Sequence, residues 1–244
     1  MEPHPRPTVA VDCVVFGIAQ RDSRLDPELH VLLIERAGDP FKGQWALPGG
    51  RVEVSDEGDQ GEDLEAAARR ELREETGIEV NYLEQLYTFG TPGRDPRGRV
   101  ISVAYFALVQ SKDHEAKAGS DAAKAQWYSM QSTLATETLG HRLAFDHGII
   151  LRTALDRLQA KVRYTPIGFN LLPPKFSLFE LQRIYEAILM RKLDKRNFRK
   201  RILAMGILAE AGQQENVPHR AAVLYRFDKR AYDRAVKSGF NFEV

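Results

Sequence analysis

Cysteine is nearly absent from this sequence: Cys13 stands alone among 244 residues. An internal disulfide is thereby excluded, and the thiol, set in the apolar run Val9 to Phe16, reads as a small buried hydrophobe. Long hydrophobic runs are missing too, with none near the roughly 18 residues that cross a bilayer. The opening MEPHPRP holds three prolines and no apolar stretch of the kind an export signal requires. A loose N-terminal arm, no membrane partner and a reducing, cytoplasmic setting are the expectations. Internal repeats and low-complexity tracts are absent as well. The six histidines show no metal-ligand spacing and read as structural or surface residues.

Net charge is almost nil, at +1, but the two signs are not mixed evenly. Residues 161–244 hold 17 Lys+Arg against 8 Asp+Glu, whereas residues 1–160 hold 18 against 26. A chain of this length is comfortable as two domains. An acidic part, 1–160, and a basic part, 161–244, predict two domains with different partners.

The acidic part is organised around LPGGRVEVSDEGDQGEDLEAAARRELREETGIEV, Leu47 to Val80. Ala66, Ala67, Ala68 and Leu72 favour a helix, Asp63 stands at an N-cap position and Gly77 at an αL stop. On that helix Glu71, Glu74 and Glu75 share one face. Three like charges there repel by a few tenths of a kcal/mol per pair. A compensating cation removes that cost, and hard carboxylate oxygens suit Mg²⁺ or Mn²⁺, which usually arrive with a substrate phosphate. A solvated acidic face is the plainer alternative. Upstream, Leu47-Pro48-Gly49-Gly50 is a turn that lets backbone approach a ligand closely.

With that turn and with Glu62 placed seven residues before Arg70, the run Arg70-Glu71-Leu72-Arg73-Glu74-Glu75-Thr76-Gly77-Ile78 resembles the Nudix box, G-x5-E-x7-R-E-U-x-E-E-x-G-U. One departure is clear: eleven residues rather than five separate Gly50 from Glu62. The insert, Ser55 to Gly61, reads as a longer loop that alters substrate fit while leaving the helix intact.

Around the box, Thr8–Gly17 and Leu29–Glu35 read as buried strands, with Arg36 ending the second. Trp45, in the loop after it, is equally suited to core packing and to a substrate pocket. Tyr82–Phe89 and Val100–Val109 flank a Gly/Pro/Arg loop, which predicts a hairpin with an elaborated connection. From that loop Arg94, Arg97 and Arg99 could grip an anion, although arginines on a surface loop are ordinary. Ser111–Lys124 reads as an exposed loop and Gln126–Met130 as a last short strand before a helix. Asp146 reads as the N-cap of a further helix whose apolar face comprises Ile149, Ile150, Ala154, Leu155 and Leu158.

Prolines and Gly168 between Tyr164 and Pro174 mark the boundary. Beyond it, Ser177-Leu178-Phe179-Glu180 is a capping box, and Leu181, Ile184, Tyr185, Ile188 and Leu189 give an amphipathic helix. Asp194 caps a second helix, Lys195 to Met205, with Phe198, Ile202 and Met205 inward. Residues 210–220 are polar and turn-rich, and Ala221–Phe227 reads as a strand. Helix, turn, basic helix and strand form the layout of a winged helix-turn-helix. Seven of the eleven residues Arg191 to Arg201 are basic. Lys195, Arg196, Arg199 and Lys200 share one face, where they would neutralise phosphates, while Arg196 and Asn197 suit base edges. A solvated cationic face is the alternative. His219, Arg220 and Arg226 would lie near the wing.

Box and basic part together, with GRDPRGRVISVAYFAL, LAFDHGIIL, GFNLLPPKFSLFELQRIYEAIL and LDKRNFRKRIL, resemble the Nudix-related transcriptional regulators of NAD metabolism. The resemblance implies an α/β/α sandwich with a mixed sheet, followed by an α+β winged helix-turn-helix. It further implies a homodimeric repressor of NAD biosynthesis or salvage genes that binds operator DNA and takes ADP-ribose as effector or substrate. The site residues it assigns are Glu71, Glu74 and Glu75 for metal and catalysis, and Arg36, Trp45, Gly50, Arg51, Arg94 and Arg97 for the ligand. Lys195, Arg196, Asn197, Arg199, Lys200 and Arg220 are assigned to DNA. Arg70 is expected to position the helix through a neighbouring carboxylate. Two other readings stay open: a housekeeping Nudix hydrolase with a basic appendage, and a regulator of this type that responds to a sugar.

Overall fold

The computed structural model describes residues 6–19, 26–54, 61–110, 122–135, 143–215 and 221–243. They fall into two compact units, 1–17 with 29–155, and 18–28 with 156–244. None of the described helices is long and apolar enough to cross a membrane.

The first unit is built on a seven-stranded mixed sheet. Its strands are β1 (Thr8–Ala19), β2 (Glu28–Arg36), β3 (Trp45–Ala46), β4 (Gly49–Arg51), β5 (Tyr82–Phe89), β6 (Val100–Val109) and β7 (Ala122–Ser129). The path runs β3-β2-β1-β6-β5, with β4 paired to β1 and β7 to β2. β1 and β6 are parallel, Val11 opposite Val103, and β5 returns antiparallel on β6 as the hairpin reading expected. Val11, Cys13 and Val15 on one face of β1 are fully buried, as are Val14 and Phe16 on the other. Both faces are therefore covered, which is why β1 and β6 read as continuous apolar runs rather than alternating ones. Helix α1 (Leu64–Thr76) packs Ala67, Ala68 and Leu72 onto the first face, against Val11, Leu32, Val103 and Tyr105. Burying Leu72 there contributes roughly 1.5–3 kcal/mol. Gly77, at φ 68, ends the helix, and Asp63 stands at its N-cap without a side-chain cap bond.

Two sequence expectations need correction in this unit. β7 begins at Ala122, not Gln126, because it pairs with β2 along its length. Residues 111–121 of the expected loop, and 55–60 of the box insert, lie outside the described residues. A short helix, α2 (Met130–Ala135), follows β7 as expected, and then α3 (His147–Tyr164). On α3, Ile150, Ala154, Leu155 and Leu158 are buried, but Ile149 is 63% exposed because it sits one residue off that stripe.

The second unit carries α4 (Leu178–Leu189), α5 (Lys195–Ala204) and α6 (Lys229–Lys237). It also carries the antiparallel sheet β8 (Phe176–Ser177), β10 (Val223–Phe227), β9 (Leu208–Gln213). The capping box closes reciprocally: Glu180 N–H donates to Ser177 Oγ at 3.2 Å and Ser177 N–H to Glu180 Oε2 at 2.8 Å. Asp194 Oδ1 accepts from Asn197 N–H at 2.8 Å and starts α5. Leu181, Ile184, Tyr185, Ile188, Phe198 and Ile202 are buried together, with the Tyr185 and Phe198 rings edge to face at 5.4 Å. Gly168 is required here, since a Cβ would lie 2.9 Å from the Tyr185 ring. β9 and α6 were not expected from sequence.

Candidate functional site

The glycine turn and the acidic helix meet because neither leaves room for anything larger. A Cβ on Gly49 (φ 153) would lie 2.2 Å from the Val11 carbonyl, and one on Gly50 would lie 2.2 Å from Glu71 Oε1. Gly49 N–H instead donates to Glu75 Oε2 at 2.7 Å, tying β4 to α1. A cavity of about 710 Å³ opens there, a volume suited to a nucleotide-sized ligand. Its lining includes Arg51, Glu53, Arg70, Glu71, Glu74 and Glu75, and also Arg36, Arg94, Asp95, Arg97, Phe145 and His147.

The acidic wall is held by Arg70, in the positioning role expected of it. Its Nη2 and Nε grip Glu62 at 2.7 and 3.1 Å, and its Nη1 reaches Glu71 at 2.9 Å and Glu74 at 3.1 Å. Hydrogen bonding to Glu62 raises the Arg70 pKa, with Glu71 and Glu74 adding to it, and the same bond lowers that of Glu62. Glu71 moves the other way. Burial pushes its carboxyl up, and the charges of Glu74 and Glu62 push further, against the pull of Arg70. A half-buried carboxylate crowded by two others gains from a second cation, so the donor chemistry fits a hard divalent ion. Among the described residues these groups do not stand as a ready-made cluster of three ligands.

A second group of lining residues, Arg94 and His147, is tied to Asp12, which is buried. Its Oδ2 accepts from Ser102 Oγ at 2.5 Å and from Arg94 Nη2 at 3.2 Å, and its Oδ1 faces His147 Nε2 at 3.3 Å. Desolvation would raise the Asp12 pKa, but His147, Ser102 and Arg94 outweigh it and bring the group down to about 2. His147 Nδ1 accepts from Leu47 N–H at 2.9 Å, so Nε2 is the nitrogen that donates to Asp12. Arg94 makes a two-pronged bond to Asp146 at 2.9 and 2.5 Å and is only 6% exposed. It reaches the cavity with those donors already engaged.

Of the expected ligand residues, Arg36, Gly50, Arg51, Arg94 and Arg97 all line the cavity, and Trp45 does not. The Trp45 ring packs edge to face on Tyr128 at 4.9 Å. Asp12, Asp95, Phe145 and His147 were missed as site residues, and Asp146 was read only as a cap. A signal lay in LAFDHGIIL, which marked the resemblance without assigning a role to its residues.

The second unit offers a different surface. Lys195, Arg196, Asn197 and Lys200 are exposed on α5, with Arg199 half-buried and its Nε without a hydrogen-bond partner. Lys192 is neutralised by Asp26 at 2.6 Å and Glu186 at 3.4 Å. Arg191, Lys195, Arg196, Lys200 and Arg201 have no ion-pair partner among the described residues. His219 and Arg220 lie outside the described residues.

Comparison with known proteins agrees with this division. The NUDIX domain family matches residues 6–147, and the NrtR DNA-binding winged helix domain matches residues 168–227. The ADPR responsive transcriptional repressor NtrR of Acinetobacter baylyi is 39% identical over 239 residues, 98% of this chain and 87% of that one. The crystal structure of Shewanella oneidensis NrtR complexed with a 27mer DNA superposes with a TM-score of 0.74 at 30% identity, covering 96% of this chain and 97% of that one. The ADP-ribose pyrophosphatase of Methanocaldococcus jannaschii is 38% identical over 146 residues, 60% of this chain and 72% of that one. A Nudix box intact on its helix and a winged helix of the NrtR type, matched end to end by whole-length relatives, make this chain a member of the NrtR family of Nudix-type regulators.

Proposed function

We propose that the chain is an ADP-ribose-responsive transcriptional repressor of NAD biosynthesis or salvage genes that acts as a cytoplasmic homodimer. In this reading the first unit binds ADP-ribose and the second binds operator DNA. The observation that carries it is the presence, in one chain, of a glutamate-lined, nucleotide-sized cavity and of a cationic helix without an ion-pair partner among the described residues. The whole-length similarity to a repressor responsive to ADPR, and to a protein solved with DNA, supports both halves.

The box glutamates are all present, so we include hydrolysis of ADP-ribose to AMP and ribose 5-phosphate. Nudix hydrolases work with divalent cations, here Mg²⁺ or Mn²⁺. Glu71, Glu74 and Glu75 would hold the ion, which when bound neutralises the diphosphate and makes water a better nucleophile. Arg70 orients Glu71 and Glu74, Gly49 N–H orients Glu75, and the Gly50 backbone gives the ligand close approach. Arg36, Arg51 and Arg97 bind the anionic ligand. On α5, Arg196 and Asn197 read base edges, and Lys195, Arg199 and Lys200 grip phosphates, with Arg220 at the wing.

A housekeeping hydrolase is the second reading, favoured by the similarity of residues in the first unit to an ADP-ribose pyrophosphatase. One experiment separates the two. A labelled duplex from the gene's own upstream region is titrated with protein, with and without ADP-ribose plus Mg²⁺, and the same tubes are assayed for AMP. Sequence-specific binding released by ADP-ribose supports the regulator. AMP without specific binding supports the enzyme and overturns the regulator.

A further inference from the structure

The second unit carries another cationic helix, one that the DNA-binding roles above leave unused. α6 starts two residues after the end of β10 and lies beyond residues 168–227, the stretch matched by the winged helix family. Residues 226–237 hold five cations against two acids. Both acids are already engaged. Asp228 caps the helix, accepting from Ala231 N–H at 2.9 Å, and Asp233 pairs with Lys229 at 2.8 Å. Arg226, Arg230, Arg234 and Lys237 are exposed and make no ion pair among the described residues.

Arg230, Arg234 and Lys237 recur at i, i+4 and i+7, which aligns them as one stripe about 10 Å long. Like charges at such spacings repel, and a polyanion removes that cost. A duplex strand sets one phosphate charge every ~3.4 Å of its axis, so the stripe can meet two or three of them. The other side of the helix is committed to the fold. Ala231, Tyr232 and Ala235 are half-buried, the Tyr232 ring lies 5.8 Å from that of Phe227, and Phe227 stacks on Phe169 at 4.7 Å. Val236, 46% exposed, is the one apolar residue of α6 left outside. An anionic membrane would need that apolar side free to insert. Single-stranded RNA would need exposed rings to stack on, and α6 exposes none. The helix is also fixed to the end of α5: Asp228 N–H donates to the Ile207 carbonyl at 2.8 Å, three residues past Ala204, and Phe227 faces Leu208 across the sheet. The unpaired cations of the second unit thus lie on two helices joined end to start.

We propose that α6 is a second phosphate-gripping element: Arg230, Arg234 and Lys237 hold the backbone of the duplex that α5 reads, without sequence preference. The inference rests on the regulator reading above and deepens it, since α5 then chooses the site while α6 adds affinity for any duplex.

Anisotropy titrations of the full chain test it, using a duplex from the gene's own upstream region and a scrambled duplex of the same length over a series of salt concentrations. Arg230→Gln combined with Arg234→Gln weakens binding of both duplexes about tenfold or more. It also lowers the steepness of log affinity against log salt by about 2. Lys237→Gln alone lowers it by about 1. Arg230→Lys with Arg234→Lys, which keeps both charges, binds as wild type. In every variant the preference between the two duplexes, the affinity for ADP-ribose and the thermal melting are those of wild type. Wild-type affinity and salt dependence in the glutamine variant leave α6 a solvated face and overturn the inference, as does a loss confined to the upstream sequence. Tighter binding of wild type to single-stranded RNA or to phosphatidylglycerol vesicles, lost in the glutamine variant, gives the stripe another partner and overturns it too. Failure of wild type to prefer the upstream duplex overturns the regulator reading instead, and an equal loss on both duplexes in the glutamine variant would then still assign α6 to phosphate.

Discussion

The acidic wall of the cavity and the basic face of α5 are both crowds of like charge, and the chain treats them in opposite ways. One guanidinium, Arg70, reaches Glu62, Glu71 and Glu74 within 3.1 Å and turns a repulsive stripe into a fixed wall. On α5, Lys195, Arg196, Arg199, Lys200 and Arg201 have no ion-pair partner among the described residues. An internally paired cluster presents groups in set positions to a small ligand. An unpaired one on an exposed helix retains its charge for a polyanion, whose counterions are released when it binds.

That contrast can be broken from either side. Glu74→Gln is expected to give the largest effect, a loss of about a hundredfold or more in AMP release, since the cation's stabilisation is worth several kcal/mol. Duplex binding by the same variant should be unchanged in an anisotropy titration. A variant with full turnover would remove Glu74 from the metal assignment.

Arg70→Ala comes next. It leaves Glu62, Glu71 and Glu74 facing each other without their shared donor, and should cost about 1–3 kcal/mol in denaturant unfolding. Arg196→Ala, at an exposed and unpaired position, should leave stability within about 0.5 kcal/mol. If both cost the same, the distinction between paired and unpaired crowds is void.

Arg196→Ala should instead weaken specific duplex binding by about 1–3 kcal/mol. Lys200→Ala should lower the slope of log affinity against log salt by about 1, evenly across sequences. A salt slope near zero for the wild type would mean that the helix does not meet phosphate.

A further effect is in acid. Asp12 has a folded-state pKa of about 2 against an ordinary 3.8. Its contribution, about 2 kcal/mol, is therefore full above pH 4 and is lost as pH falls toward 2. Asp12→Asn should flatten the stability profile in that window, measured by urea unfolding at successive pH values.

What was legible in the sequence was whatever is written locally. The box helix, its three glutamates and the Arg70 partner lie within one continuous run from Glu62, so spacing alone placed them on one face. β5 and β6 were bounded by glycine and proline and emerged at their expected limits. α4 and α5 announced themselves through Ser177, Glu180 and Asp194. β9 did not, because LAEAGQ has no β-branched residue and becomes a strand only by pairing with β10. α6 is started by Asp228 accepting from Ala231 N–H at 2.9 Å and buries none of its residues. The cluster around Asp12 was illegible for a different reason. Asp12, Arg94, Ser102, Asp146 and His147 come from separate segments, and only the parallel pairing of β1 with β6 and the start of α3 bring them together.

In the regulator proposed above, ADP-ribose and operator DNA favour different states of one chain. The direct measurement is the dissociation constant of ADP-ribose for the protein alone and for the protein saturated with its upstream duplex. Reciprocal coupling predicts weaker binding to the DNA-bound form, by about fivefold or more. Equal constants would mean that the ligand cannot shift DNA occupancy however tightly it binds, and would contradict the account.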